Sequence, residues 1–305
     1  MPLAHANGIH LAYELDGDPA GTPMVLVMGL GMPLVFWPDA FVDALAERGF
    51  RLLRFDNRDC GHSSRITGRG PVNLPAAIAR GLLGLPVQAP YRLADMADDT
   101  AGLLDALGIA RAHLVGVSMG GMIAQTVAAR HPARVASLVS IMSSSGNRRV
   151  ALARPRALRA LLSRPHDTSD ADAVIAHMMG VFGIIGSPRY PLDPVLLRRS
   201  CERVIARGYY PAGTARQLLA IVASGDRRRE LACITAPTLV IHGRDDPLVR
   251  VAAGEDTAHN IRGAKLLVID GMGHDLPPAV TPQIVDAIAR HCREAESAEG
   301  SRKAA

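Results

Sequence analysis

The stretch 112–126, Ala112-His-Leu-Val-Gly-Val-Ser-Met-Gly-Gly-Met-Ile-Ala-Gln-Thr126, constrains this chain more than any other. It opens as a short apolar run (Leu114, Val115, Val117), reads Gly116-Val117-Ser118-Met119-Gly120 at its centre, and continues as a helical pattern. A serine that leaves a strand, turns sharply and enters a helix occupies a strained backbone. Small residues two before and two after it keep the neighbouring chain clear. The turn lifts the hydroxyl above the sheet and aims helix N–H groups at any negative charge that forms beside it. A Gly-flanked turn serine is the plain alternative. The strand before and the helix after favour a nucleophile elbow.

The rest of the chain supplies a sheet for such a turn. Residues 1–16 read as a hairpin closed by Asn7-Gly8. Pro23–Gly29 is a continuous apolar run, as in a strand buried on both faces. A helix is expected over Pro38–Arg48, a strand over Phe50–Asp56, a helix over Tyr91–Leu107 stopped by Gly108, and a strand over Val135–Met142. Strands alternating with helices predict right-handed crossovers and a mostly parallel sheet. After Gly146 the alternation stops. Residues 146–229 read as helices only (Arg148–Leu162, Ala171–Ile185, Asp193–Arg207, Thr214–Ala223), before strands resume at Pro237–Gly243 and Lys265–Asp270. The expected organisation is a core of 1–145 and 230–295, a helical cap inserted at 146–229, and a flexible tail at 296–305. One apolar segment, Pro71–Pro90, fills a connection that needs only a few residues. It reads as a lid over a pocket or as a packing and homodimer surface.

Composition removes several function classes. Four cysteines lie far apart without C-x-x-C spacing, and eleven histidines are scattered, so neither a disulfide framework nor a metal site is expected. Net charge is +5, but aromatics make up only 4%, so a nucleic-acid face is not expected. The arginines at 148–164 and 198–229 read as solvated helix faces. No apolar run is long enough to span a membrane, and the first residues do not read as a secretion signal, so a cytoplasmic location is expected.

A serine hydroxyl needs a base, and the base needs an acid to orient it. His242-Gly-Arg-Asp-Asp-Pro at a later strand's end offers Asp246, with Asp245 in reserve. Gly271-Met-Gly-His274 offers the base on a glycine-flanked loop. An oxyanion hole needs one N–H after the nucleophile, from Met119, and one from the loop Met28-Gly29-Leu30-Gly31, from Leu30. Gly29-Leu30-Gly31 also has to be weighed as a dinucleotide loop with Asp56 as the ribose ligand. Leu34 stands where a third glycine would be, which disfavours a nicotinamide cofactor. Asp56, Arg58 and Asp59 read as a charged turn that fixes its own loop. Trp37 reads equally as a pocket wall or a core anchor. Met178, Met179, Phe182 and Ile185, with Met119, are the candidates for an apolar substrate pocket.

These motifs resemble the α/β-hydrolase superfamily over nearly the whole chain. Phe36-Trp37-Pro38-Asp39, Phe55–Ser63 and Gly273-His-Asp-Leu-Pro277 are similar to the branch of aclacinomycin methylesterase-like carboxylesterases. The resemblance implies a mostly parallel sheet of about eight strands flanked by helices, with ester cleavage by a serine triad beneath a helical cap. Met28 stands where the superfamily usually has histidine, and Asp59 where glycine is common. Ser118 excludes the relatives that use an aspartate nucleophile. The expected activity is cofactor-free hydrolysis of small or medium apolar carboxylic esters through an acyl-enzyme. Carbon–carbon bond hydrolysis, lactone opening or perhydrolysis by the same serine, or slow-turnover ligand reception, are the alternatives.

Overall fold

The computed structural model describes residues 1–67, 73–150 and 152–304. Its first part comprises β1 (Leu3–Ala6), β2 (Ile9–Asp16), β3 (Thr22–Val27), α1 (Asp39–Ala46), β4 (Phe50–Phe55), α2 (Leu74–Leu82) and α3 (Leu93–Ala106). Then come β5 (Ala112–Val117), α4 (Met119–Arg130) and β6 (Val135–Ile141). Between β6 and the next strand lie α5 (Pro155–Leu162), α6 (Ala171–Ile185), α7 (Pro194–Ala206), α8 (Pro211–Ser224) and α9 (Arg228–Leu231). The chain closes with β7 (Thr238–Gly243), α10 (Val251–Asn260), β8 (Lys265–Ile269) and α11 (Thr281–Ala304). α5 starts seven residues later than the sequence pattern suggests, because Pro155 suits a first helical position and lacks the N–H an interior turn needs. α11 continues as helix through the stretch read as a tail.

The described strands form one eight-stranded sheet in the order β1-β2-β4-β3-β5-β6-β7-β8. β1 and β2 pair antiparallel, and β2 runs antiparallel to β4. The other neighbours are parallel. From β3 the chain moves outward to β4, then returns to the other side of β3 at β5. The order therefore reverses at β3/β5, and loops leaving the carboxyl ends of these two strands part and open a crevice. β3, β5 and β7 are almost wholly buried, as expected of strands covered on both faces. One core layer packs α3 and α4 against the sheet through Leu103, Leu104, Ile123 and Val127. The other packs α1 and α11 through Phe41, Leu45, Ile284 and Ile288.

The helical block between β6 and β7 is tied to the core by buried charge. Arg207, just after α7, donates to Asp56 (2.9 Å) and Glu14 (3.0 Å). Arg216, on α8, donates to both oxygens of Asp59 at 2.8 Å. These arginines are buried, as is Arg227, contrary to the solvated face read from the sequence. The Asp56–Asp59 turn supplies the carboxylates that make the burial of Arg207 and Arg216 tolerable, so the turn does more than fix its own loop. Arg58 instead faces α3, where it pairs with Asp99 at 2.6 Å. α2 lies on the outside of α8, with Ala77 and Val87 packed on Leu219. Residues 71–72 of the proposed lid lie outside the described residues.

Candidate active site

Ser118 sits between β5 and α4 with φ 54° and ψ −119°, a left-handed conformation that costs a non-glycine residue energy. The flanking glycines are steric necessities. A Cβ on Gly116 would stand 2.2 Å from the Gly120 carbonyl oxygen, and one on Gly120 would stand 2.0 Å from the Val27 carbonyl oxygen. The elbow is held from β6: Ser118 N–H donates to Ile141 O (2.9 Å), and Ser143 Oγ donates to Ser118 O (2.8 Å).

His274 faces the elbow. Its Nε2 lies 3.0 Å from Ser118 Oγ, and its Nδ1 lies 2.7 Å from Asp246 Oδ2. Asp246 is buried beyond β7, and its other oxygen accepts from the Leu248 and Val249 N–H groups at 2.8 Å. Those bonds fix the carboxylate so that one oxygen remains for the imidazole. Asp245 points elsewhere. Its Oδ2 accepts from Gly271 N–H (2.9 Å) and so braces the start of the histidine loop.

That loop has a second support which the sequence reading missed. His274 N–H donates to Ile185 O at the end of α6 (2.7 Å), Gly273 N–H donates to Ser187 Oγ (2.8 Å), and Ser187 Oγ donates to Asp275 Oδ1. Burial pushes the Asp275 carboxyl above its ordinary range, and the Ser187 hydrogen bond opposes the rise. His242 lies behind Asp246, its Nε2 3.7 Å from Asp246 Oδ2 and 2.7 Å from Val249 O. Burial lowers its pKa, so it stays neutral despite the carboxylate beside it. Nothing local in the sequence marks Ser187 or His242, since their partners lie on other elements or behind a turn.

The loop after β3 lies against the nucleophile: a Cβ on Gly29 would be 3.4 Å from Ser118 Cβ. Leu30 N–H has no acceptor among the described residues, and Met119 begins α4, where a first-turn N–H has no partner one turn earlier. Of the pocket candidates, Met178, Met179, Phe182 and Ile185 lie on α6, and Met119 begins α4. Phe182 packs on Phe36 with ring centroids 5.1 Å apart, and Met179 joins Met32 and Phe36 in one apolar cluster. Met32 and Phe36 were not singled out as pocket residues in the sequence. Trp37 is fully buried and stacked on Phe41 with ring centroids 5.3 Å apart.

The chain that carries this arrangement matches a known family. The model of the alpha/beta hydrolase fold family matches residues 22–277. The chain belongs to this family. It is 28% identical to the rhodomycin D methylesterase DauP of Streptomyces sp. (strain C5), over 94% of this chain and 96% of that protein. It is 27% identical to the rhodomycin D methylesterase DnrP of Streptomyces peucetius, over 92% and 93%. Among solved structures, the enol-lactonase from Burkholderia xenovorans superposes with a TM-score of 0.67 at 28% identity, covering 97% of this hydrolase and all of that chain. Among the described residues of this hydrolase, no helix is long and apolar enough to cross a membrane.

Proposed function

We propose that this hydrolase cleaves carboxylic esters through an acyl-enzyme on Ser118. The observation that carries the reading is the single row Ser118 Oγ, His274, Asp246, with 3.0 and 2.7 Å between successive partners. Ser118 Oγ bonds to the ester carbonyl carbon as its proton passes to His274 Nε2. The carbonyl electron pair moves onto oxygen, where the Leu30 and Met119 N–H groups face the new charge. Asp246 holds the Nδ1–H and stabilises the imidazolium. Collapse breaks the bond to the alcohol oxygen, which takes the proton from Nε2. A water then gives a proton to His274 and adds to the acyl carbon, and a second collapse returns Ser118 and releases the acid.

The helices α5 to α8 form a cap over this centre, and the cluster of Met32, Phe36, Met179 and Phe182 forms the apolar wall for the substrate. The methylesterase relatives support an ester substrate. The enol-lactonase likeness supports a second reading, opening of a cyclic ester by the same steps. The test is kcat/KM over a panel of methyl, p-nitrophenyl and lactone substrates, for the wild type and Ser118→Ala. We expect acyclic esters to be turned over and the variant to lose at least about 10³-fold. Turnover confined to lactones would favour the second reading, and turnover retained in Ser118→Ala would end both.

A further inference from the structure

We propose that Gln217, on α8, is a positioning residue for the oxyanion donor Leu30. The assignment rests on the ester-hydrolase reading of the Ser118 centre. Gly29, Leu30, Gly31 and Met32 form a tight turn in which Met32 N–H reaches Gly29 O at 3.4 Å, with Gly31 at φ +69°. A positive φ at the third position is what a type II turn requires, and the N–H of that residue points away from the turn. Gln217 receives it: Gly31 N–H donates to Gln217 Oε1 at 2.8 Å.

The amide is held at its other end, where Gln217 Nε2 donates to Arg58 O, also at 2.8 Å. Arg58 is in turn fixed by Asp99. Gln217 is fully buried, and its bond to Arg58 O lies inside the protein, away from water. Thr214, one helical turn earlier, fills the space beside Gly31, where a Cβ would stand 2.6 Å from Thr214 Oγ1.

Only the φ and ψ of Leu30 separate its own N–H from the Gly31 N–H. Pinning the second peptide therefore restricts the direction of the first. The cap thus reaches into the chemistry: α8 sets the direction of an N–H whose value lies in being oriented before charge develops. No side chain in the sequence motif performs this task.

The test compares wild type with Gln217→Met, which keeps length and loses both hydrogen bonds, using a p-nitrophenyl ester and a trifluoromethyl ketone that forms a tetrahedral adduct with a serine. We expect kcat to fall about 10- to 100-fold with KM within twofold, and ketone affinity to fall by the same factor as kcat. Unchanged kcat and ketone affinity, or a rise in KM alone, would overturn the assignment. Gln217→Glu, whose buried carboxyl in its protonated form accepts from Gly31 N–H and donates to Arg58 O, decides the matter if the methionine variant does not fold. It should keep ketone affinity within threefold, and a loss of 10-fold or more would overturn the role. Failure of the ester reading itself would show separately, as absence of ester turnover and of ketone binding in the wild type.

Discussion

Ser118, Asp246 and His274 come from three loops far apart in the chain and meet in one row, with His274 Nε2 3.0 Å from Ser118 Oγ and His274 Nδ1 2.7 Å from Asp246 Oδ2. A strained elbow demands its glycines locally, and the carboxyl ends of strands are where an open parallel sheet gathers its chemistry. Asp246, preferred in the sequence with Asp245 in reserve, and its neighbour are adjacent at a strand's end and differ only in direction. The structure separates them by partner, His274 for Asp246 and the Gly271 N–H for Asp245. Asp246→Asn should therefore lower kcat by about 10³- to 10⁴-fold, because the amide reverses the donor pattern facing Nδ1. Asp245→Asn, whose amide oxygen still accepts from Gly271, should stay within about tenfold. Steady-state rates on one p-nitrophenyl ester rank the two, and the reverse order would transfer the role.

At the scale of elements, hydrophobic periodicity located the strands and most helices, because sheet burial and helix amphipathicity are local patterns. The contacts of α6 and α8 with the catalytic loops are not local. Ser187 and Gln217 bond to backbone groups on other elements, Thr214 packs beside Gly31, and no spacing in the sequence encodes such a pairing. Phe182 is different, since an apolar face on α6 was visible but its partner Phe36 was not. Removing that ring opens space between α6 and the loop after β3. Phe182→Ala should shift kcat/KM towards longer acyl chains by roughly 1–3 kcal/mol relative to a short one. An equal loss for every chain length would mean that the pair only holds the fold. At the elbow, Gly120→Ala should give little folded protein, because its Cβ would lie well inside contact distance of the Val27 carbonyl. Soluble, cooperatively melting Gly120→Ala would contradict the packing described.

Across the whole molecule, the arginines of the helical block were read as solvated because a helix face rich in charge usually is. Arg207 and Arg216 instead meet Asp56 and Asp59 inside the protein, where unpaired charge is costly. Asp56→Asn should leave Arg207 short of its principal partner and destabilise the protein by about 3–5 kcal/mol, measured by urea unfolding. Loss below 1 kcal/mol would show that the pair does not anchor the block.

Stability should also fall in acid. His242 and His291 are buried with pKa values lowered by burial, so below about pH 6.5 the unfolded chain binds protons that the folded state refuses. The contribution is absent above that pH and grows as pH drops towards the folded values. Differential scanning calorimetry from pH 8 to 5 should show a falling melting temperature, with a smaller fall in His242→Gln. An identical profile in that variant would remove His242 from the account.

Covalent catalysis at Ser118 is read by mass spectrometry of enzyme quenched during turnover of a slowly deacylated p-nitrophenyl ester. One added acyl group is expected on the peptide containing Ser118, and none in Ser118→Ala. Rapid turnover with no acyl adduct, or an adduct on any other residue, would contradict covalent catalysis at Ser118.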